Sequence, residues 1–259
     1  MARPSARAIF LGKRRYAEVH GWQKALVGAR TAGRVPDTIL LVEHDPVITT
    51  GRGAKLENVL FSREALAARG VDLEDTGRGG DVTFHGPGQL VGYPILDLRP
   101  DRCDLRKYVR ALAEVMILLA RDEGVEAGVV DKLIGVWVDA ARPDQWATAP
   151  WATELAKIGA IGVRASRWVT MHGFALNVDV DLAYFDLIVP CGIREHPVRS
   201  IASLVGRARS VREIALSAAK HLESALDLPV SAVVDASDMR DPTSLFLPAP
   251  SLPLEVSLG

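Results

Sequence analysis

The sequence predicts an α+β fold of mixed α/β type: a mixed β-sheet flanked by helices. Three observations lead to it. Strand-like and helix-like runs follow one another in the order β-α-β-α-β-β-α-β-β-α, which does not alternate strictly and so disfavours a doubly wound parallel sheet. The chain has 259 residues, 48% apolar and 24% charged, enough for one sizeable core. Only two cysteines occur, Cys103 and Cys191, far apart in sequence, which excludes a disulfide framework or a Cys-rich zinc module and suits a reducing compartment. Residues 1–228 are expected to form a single domain, followed by a proline-rich tail, 229–259.

The elements follow from pattern. Ala8–Leu11 reads as a first strand, and residues 14–33 as an amphipathic helix with Tyr16, Val19, Trp22, Ala25 and Leu26 at helical spacing. Thr38–Val42 is a leucine-rich and β-branched run, hence a buried strand. Ser62–Arg69 is a short helix closed by Gly70. Val82–Phe84 and Leu90–Leu98 are strands on either side of a glycine turn. Asp104–Asp122 is a long helix with Tyr108, Leu112, Val115, Met116 and Leu119 on its apolar face. Leu133–Val138 and Ile158–Val178 are strand-like, and Asp139–Trp151 between them, with two prolines and no periodicity, reads as a surface loop. Ser210 and Glu213 form a capping box opening a helix to about Leu226. Pro242, Pro248, Pro250 and Pro253 mark an extended or partly disordered tail.

Charge narrows the partners. A net charge of −1 supplies no global attraction to nucleic acid or anionic lipid. No apolar run reaches the roughly 18 residues of a membrane span. The first seventeen residues hold Arg3, Arg7, Lys13, Arg14 and Arg15 and no acid, as an organellar presequence would. Ala8–Leu11 already belongs to the domain, however, so the expectation is a cytoplasmic protein, monomeric, with neither nucleic acid nor membrane as a partner.

Gly77 to Gln89 is the most informative stretch, with five glycines among thirteen residues. It matches neither G-x-G-x-x-G nor the P-loop, so a nucleotide is not its guest. One reading is a hairpin with permissive turns. Arg78 and His85 favour the other, a ligand pocket. Downstream, Pro190 and Gly192 set Cys191 on a bend that presents its thiol, whereas most free cysteines are small buried hydrophobes. Lys157 leads into the small-residue strand Ile158–Val163, where desolvation lowers an amine pKa, although a lone lysine is more often a solvated strand end. His85 and His172 each precede a glycine at a strand end, as pocket-lining or core residues. No histidine spacing supports a metal site.

Together these segments resemble the lipoyl(octanoyl) transferase family, the LipB-type octanoyltransferases. The resemblance rests on Val42-Glu43-His44-Asp45-Pro46-Val47, Arg78 to Gln89, Lys157-Ile158-Gly159-Ala160-Ile161-Gly162, His172-Gly173-Phe174-Ala175-Leu176-Asn177 and Pro190-Cys191-Gly192, in family order from about residue 8 to 228. It implies a fold like the catalytic domain of biotin and lipoate ligases. It also implies octanoyl transfer from octanoyl-acyl carrier protein to the lysine of lipoyl domains, those of 2-oxoacid dehydrogenase E2 subunits and the glycine cleavage H protein. By resemblance, Cys191 forms an acyl-thioester and Lys157 lowers its pKa and acts as acid and base. The acyl surface comes from Arg78, Gly79, Gly80, Asp81, Val82, Thr83, Phe84 and His85, with Ala160, Ile161, Gly162, Gly173, Phe174 and Ala175. Of these, Val82, Phe84, Ile161 and Phe174 are expected to line the apolar slot. The thioester is already activated, so no cofactor, ATP or metal is expected. Arg164, Arg167, Arg194 and Arg199 are candidates for docking an acidic carrier. The departure from the family is Asp139–Trp151, longer than the family's usual turn before the lysine. Two alternatives stand beside this reading: an ATP-dependent lipoate or biotin ligase, for which no ligase lysine signature is evident, and a non-catalytic acyl- or carrier-binding module.

Overall fold

In the computed structural model, which describes residues 4–146, 151–189 and 196–247, the apolar runs near the N-terminus become paired strands. β1 (Arg7–Arg14) lies parallel to β2 (Thr38–His44). Parallel neighbours need a crossover, and α1 (Tyr16–Thr31) provides it. The main sheet has eight strands in the order β11 (Val234–Asp235), β1, β2, β6 (Gln89–Ile95), β10 (Val169–Asn177), β9 (Leu155–Ser166), β8 (Leu133–Asp139) and β7 (Gly128–Val130). Its pairings are antiparallel except the two made by β1. A three-stranded sheet, β4 (Asp72–Asp75), β3 (Val47–Thr50) and β5 (Val82–His85), stands apart from it. The mixed α+β architecture is therefore the one expected.

Alternation along the strands divides the interior. On one face Phe10, Ile39, Leu41, Leu90 and Leu176 pack with Leu112, Val115, Met116 and Leu119 of α3 (Leu105–Arg121). Asp104 caps α3 by accepting from the Arg106 and Lys107 N–H groups. Three further helices, α4 (Ile201–Val205), α5 (Val211–Ser217) and α6 (Ala219–Leu226), complete this layer. The Ser210–Glu213 capping box opens α5, and the expected single helix is broken at Ala218. On the other face Ile9, Leu11, Leu40, Val42, Val91 and Tyr93 meet Val19 and Leu26 of α1. A third cluster, with Ile48, Val82, Phe84, Val180 and Ile188, joins the small sheet to α2 (Arg63–Ala67) through Leu66.

Three features go beyond what local pattern shows, and each has a physical cause. Val82–His85 and Gln89–Ile95 do not form a hairpin: β5 pairs with β3, β6 pairs with β2 and β10, and Gly86–Gly88 carries the chain between the sheets. Gly88 has φ +82, and a side chain there would strike the Asp179 backbone, so the crossing needs glycine. The stretch from Pro229 to Leu247 is held against the domain: β11 adds to β1, a single 3-10 turn spans Thr243–Leu245, and Phe246 is fully buried with its ring edge-on to Trp22 at 5.8 Å. Residues 248–259 lie outside the described residues. The loop after β8 is anchored rather than loose. The buried Asp139 carboxylate accepts from the Ala141, Thr153 and Glu154 N–H groups and from Arg142, which draws its pKa down to about 2. Pro143 O accepts from Glu126 N–H, and the Trp146 ring covers Gly128 on β7. Residues 147–150 of that loop lie outside the described residues. Among the described residues, no helix is long and apolar enough to cross a membrane.

Candidate active site

A cavity of about 580 Å³ opens between the glycine loop and the face formed by β6, β10 and β9. Its size falls in the range of small-molecule sites. Arg78 to Asp81, Thr83, His85, Lys157, Ala160 to Gly162 and Gly173 to Ala175 all line it. Val82 and Phe84 do not. β5 alternates, so Thr83 and His85 face the cavity while Val82 and Phe84 turn to the small-sheet core, where Phe84 stacks on Tyr184 at 4.7 Å. The expectation that Val82 and Phe84 form the apolar slot is corrected accordingly. Ile161 and Phe174 touch the cavity but also pack into the α3 core.

The glycine loop is held by a lattice of hydrogen bonds. Arg78, 7% exposed, donates to Thr49 O at 2.7 Å and to Gly79 O. Gly51, Arg52 and Gly53 donate N–H bonds to Asp81, Arg78 and Gly80 carbonyls, and Gly79 N–H reaches Val163 O on β9 at 3.0 Å. The Asp81 carboxylate is engaged by the Lys55 N–H and the Asn58 amide, so it fixes the 55–58 turn. Asn58 O in turn accepts from Val189 N–H.

Behind the loop runs a chain of buried amides. The Gln89 amide nitrogen donates to Phe84 O and Asn177 Oδ1, which leaves its oxygen to accept from His85 Nδ1–H at 2.7 Å. Asn177 Nδ2 then donates to Arg199 O, and Arg199 N–H to Lys157 O. His44 donates from Nδ1 to Arg14 O, so its Nε2 accepts from the Tyr93 hydroxyl at 2.8 Å. Burial pushes both rings towards the neutral form, His44 to about 4 and His85, with His44 beside it, to about 3. His172 is likewise lowered to about 3, by burial and then by His20. Its backbone sits at φ +60, held by the N–H bond to Gln23 Oε1. Tyr16 stacks parallel to His85 at 6.3 Å. Among the described residues, no cluster of histidine, cysteine or carboxylate groups is placed to hold a metal.

The opposite wall is β9, whose small residues leave space. A bulge shapes it: Val136 pairs with Gly159 but Trp137 with Lys157. Ile158 thus enters the α3 core and a Cβ on Gly159 would meet Met116 Sδ at 2.7 Å, while Lys157 stays on the cavity wall. Lys157 Nζ lies 5.5 Å from the centre of the Trp137 ring. Lys157 N–H donates to Pro197 O, and Val198 lines the cavity. Cys191, and Arg194 with it, lie outside the described residues. Cys103 is exposed, its thiol on Leu98 O at 3.5 Å, away from the cavity lining.

Sequence reasoning missed Tyr16, Gln89, Tyr93, Asn177 and Trp137. Gln89 and Asn177 carried a usable signal, since each is an amide set against an apolar strand run, and a buried amide needs partners. The tyrosines and Trp137 carried none beyond their apolar character.

Comparison with known proteins accords with this geometry. The sequence model of the lipoyl protein ligase A/B catalytic domain matches residues 15–223. An octanoyltransferase of Koribacter versatilis is 48% identical over 206 residues, 79% of this chain and 77% of its own. That of Solibacter usitatus is 47% identical over 217 residues, covering 84% and 91%. Among solved structures, an archaeal bipartite lipoate protein ligase from Thermoplasma acidophilum superimposes with a TM-score of 0.66 at 13% identity over 90% of this chain and 88% of its own. A lipoate-protein ligase A bound with ATP gives 0.62 at 15% identity over 90% of each chain. At such identity the structures speak to the fold alone.

Proposed function

From a chain that belongs to the lipoyl protein ligase A/B catalytic-domain family, within its octanoyltransferase branch, we propose an acyltransferase that moves an octanoyl group from acyl carrier protein to the lysine of a lipoyl domain. The carrying observation is the cavity: a slot floored by Ala160, Gly162 and Ala175, with Lys157 on its wall where β9 is hydrogen-bonded to residues 197 and 199. A slot paved with small residues suits a flexible acyl chain, and the relatives' octanoyltransferase activity supplies its length.

In this reading the Cys191 thiolate attacks the thioester carbonyl of the donor, forming a carbon–sulfur bond and expelling the carrier thiolate. The Lys157 ammonium first favours the Cys191 thiolate electrostatically, then gives its proton to the departing thiolate. The neutral Lys157 amine next accepts a proton from the incoming substrate lysine as that nitrogen attacks the acyl-cysteine. Cys191 leaves as thiolate, the amide is formed, and Lys157 is an ammonium again. The donor is already a thioester, so the cycle consumes no ATP. Arg164, Arg167 and Arg199 remain candidate docking residues for an acidic carrier, as they are exposed or half-buried.

Intact-mass measurement after mixing with octanoyl-carrier protein tests the chemistry. One octanoyl adduct is expected on the wild type and none on Cys191→Ser. An adduct that survives Cys191→Ser sinks the thioester mechanism. ATP-dependent ligation of free octanoate by Cys191→Ala would make the protein a ligase instead, and donor binding with no adduct at all a non-catalytic module.

A further inference from the structure

Lys157 is held by two neighbours whose placement follows from the bulged pairing of β8 with β9. Resting on the acid–base role proposed for this lysine, we propose that Trp137 and Gly135 are positioning residues that fix the Lys157 side chain on the cavity wall, one by its ring face and the other by its missing side chain.

Trp137 and Lys157 are paired directly across β8 and β9, and directly opposed residues share a face of a sheet. The indole is fully buried and is itself pinned, its N–H donating to Leu133 O at 3.2 Å and its ring meeting His196 at 80° and 5.5 Å. The ring is therefore a fixed plate, with the Lys157 ammonium 5.5 Å from its centre. That separation lies within the range where an aromatic face attracts a cation. Gly135 has φ +131 on the same strand. A Cβ there would sit 2.5 Å from Gly159 O, 2.6 Å from Lys157 Cε and 3.2 Å from Nζ. The lysine stem thus lies in a notch that exists because Gly135 has no side chain.

The plate and the notch have a chemical consequence. A ring face stabilises the ammonium and does little for the neutral amine, so Trp137 favours the proton-holding state between turnovers. Among the described residues, the titratable and charged groups around this position are Lys132, which lines the same cavity, His196 against the indole ring, and Arg199 paired with Glu154 at 2.6 Å. Arg78 and Asp81 line the cavity further along and are bound to their own loop. Of these only His196 touches the indole, so Trp137→Phe, which keeps a ring against it, separates loss of the ring face from a change at His196.

The experiment is octanoyl transfer against pH with Trp137→Phe, Trp137→Leu and Gly135→Ala, each made alone and on Lys157→Ala, with melting followed in parallel. Trp137→Leu is expected to lower kcat by about twofold to thirtyfold with little change in KM for octanoyl-carrier protein. It should also move the pH limb that Lys157→Ala abolishes to lower pH, by about half to one unit. Trp137→Phe, which keeps a ring face, should fall between Leu and wild type. On Lys157→Ala the Trp137 changes should add nothing. Equal losses in both backgrounds with no movement of the limb would make Trp137 a core residue only and overturn the proposal. If Trp137→Leu does not fold, Trp137→Phe and Gly135→Ala decide: a lowered kcat with unchanged KM and a moved limb supports the proposal, and an unmoved limb overturns it. Full activity of Lys157→Ala itself would refute the acid–base reading, an outcome distinct from either.

Discussion

The two walls of the cavity are built on opposite principles. The glycine-loop wall is rich in polar groups tied down by hydrogen bonds: Arg78 to Thr49, Asp81 to the 55–58 turn, His85 through Gln89 to Asn177. The β8–β9 wall is shaped by missing atoms, at Gly135, Gly159 and Gly162, with the Lys157 ammonium set into the space. Hydrogen bonds make the first wall a fixed template, because a buried polar group that loses its partner costs about 1–3 kcal/mol. Absence of side chains makes the second wall a mould, and it fails when something is added. Injuries to the first should therefore appear as lost stability, and injuries to the second as lost turnover or altered chain preference.

The largest effect expected sharpens the polar wall. Burial holds His44, His85 and His172 neutral, with pKa values lowered to about 4, 3 and 3, whereas in the unfolded chain they titrate near the ordinary histidine value of 6.5. Between those limits the unfolded state binds more protons, so stability is intact above pH 6.5 and falls as the pH drops towards 4. Each histidine contributes up to about 1.4 kcal/mol per pH unit in that window, so the three together give a slope of at most about 4 kcal/mol per pH unit. Denaturant titrations across pH 4 to 7 check it, and a flat profile there would separate these rings from the stability of the fold.

Next comes the mould wall: Lys157→Ala is expected to lower kcat about 10²–10⁴-fold with the melting temperature nearly unchanged, as measured by octanoyl transfer and calorimetry. Gln89→Ala reverses the pattern. It strips partners from His85 Nδ1, Phe84 O and Asn177 Oδ1 and should destabilise the fold by about 2–4 kcal/mol in urea titrations. Ala160→Leu adds bulk to the slot and should weaken use of the octanoyl donor by about tenfold to a hundredfold in kcat/KM, with a smaller penalty for shorter acyl donors. Should Ala160→Leu unfold the protein while Gln89→Ala leaves it intact, the contrast between the walls is void.

Much of this was legible in the sequence because it depends on local pattern. α3 was readable from its 3.6-residue stripe and from Asp104, and the glycine loop from its density of glycines. Ala160, Gly162 and Gly173 were reachable as members of recognisable strings. What escaped depends on pairing. β3, β4 and β7 run for four residues or fewer, too short to show a period. Phe84 looks like a slot residue in sequence, and only the pairing of β5 with β3 decides which way it faces. The bulge at Ile158 leaves no local mark, yet it sets Lys157 opposite Trp137. Register is a property of two strands together, so neither strand announces it alone.

The loop after β8 has a consequence for how the molecule behaves among its own copies. Sheet edges are templates for unwanted strand addition, and proteins blunt them by shortening or covering. Here β11 runs for two residues and β7 for three, and β7 is further covered by Trp146 over Gly128 and by the Glu126–Pro143 hydrogen bond. That loop thus acts as a guard on the outermost strand. Replacing Trp146 with serine is expected to leave the cavity intact and to lower the concentration at which the protein begins to aggregate, measured by light scattering on gentle warming.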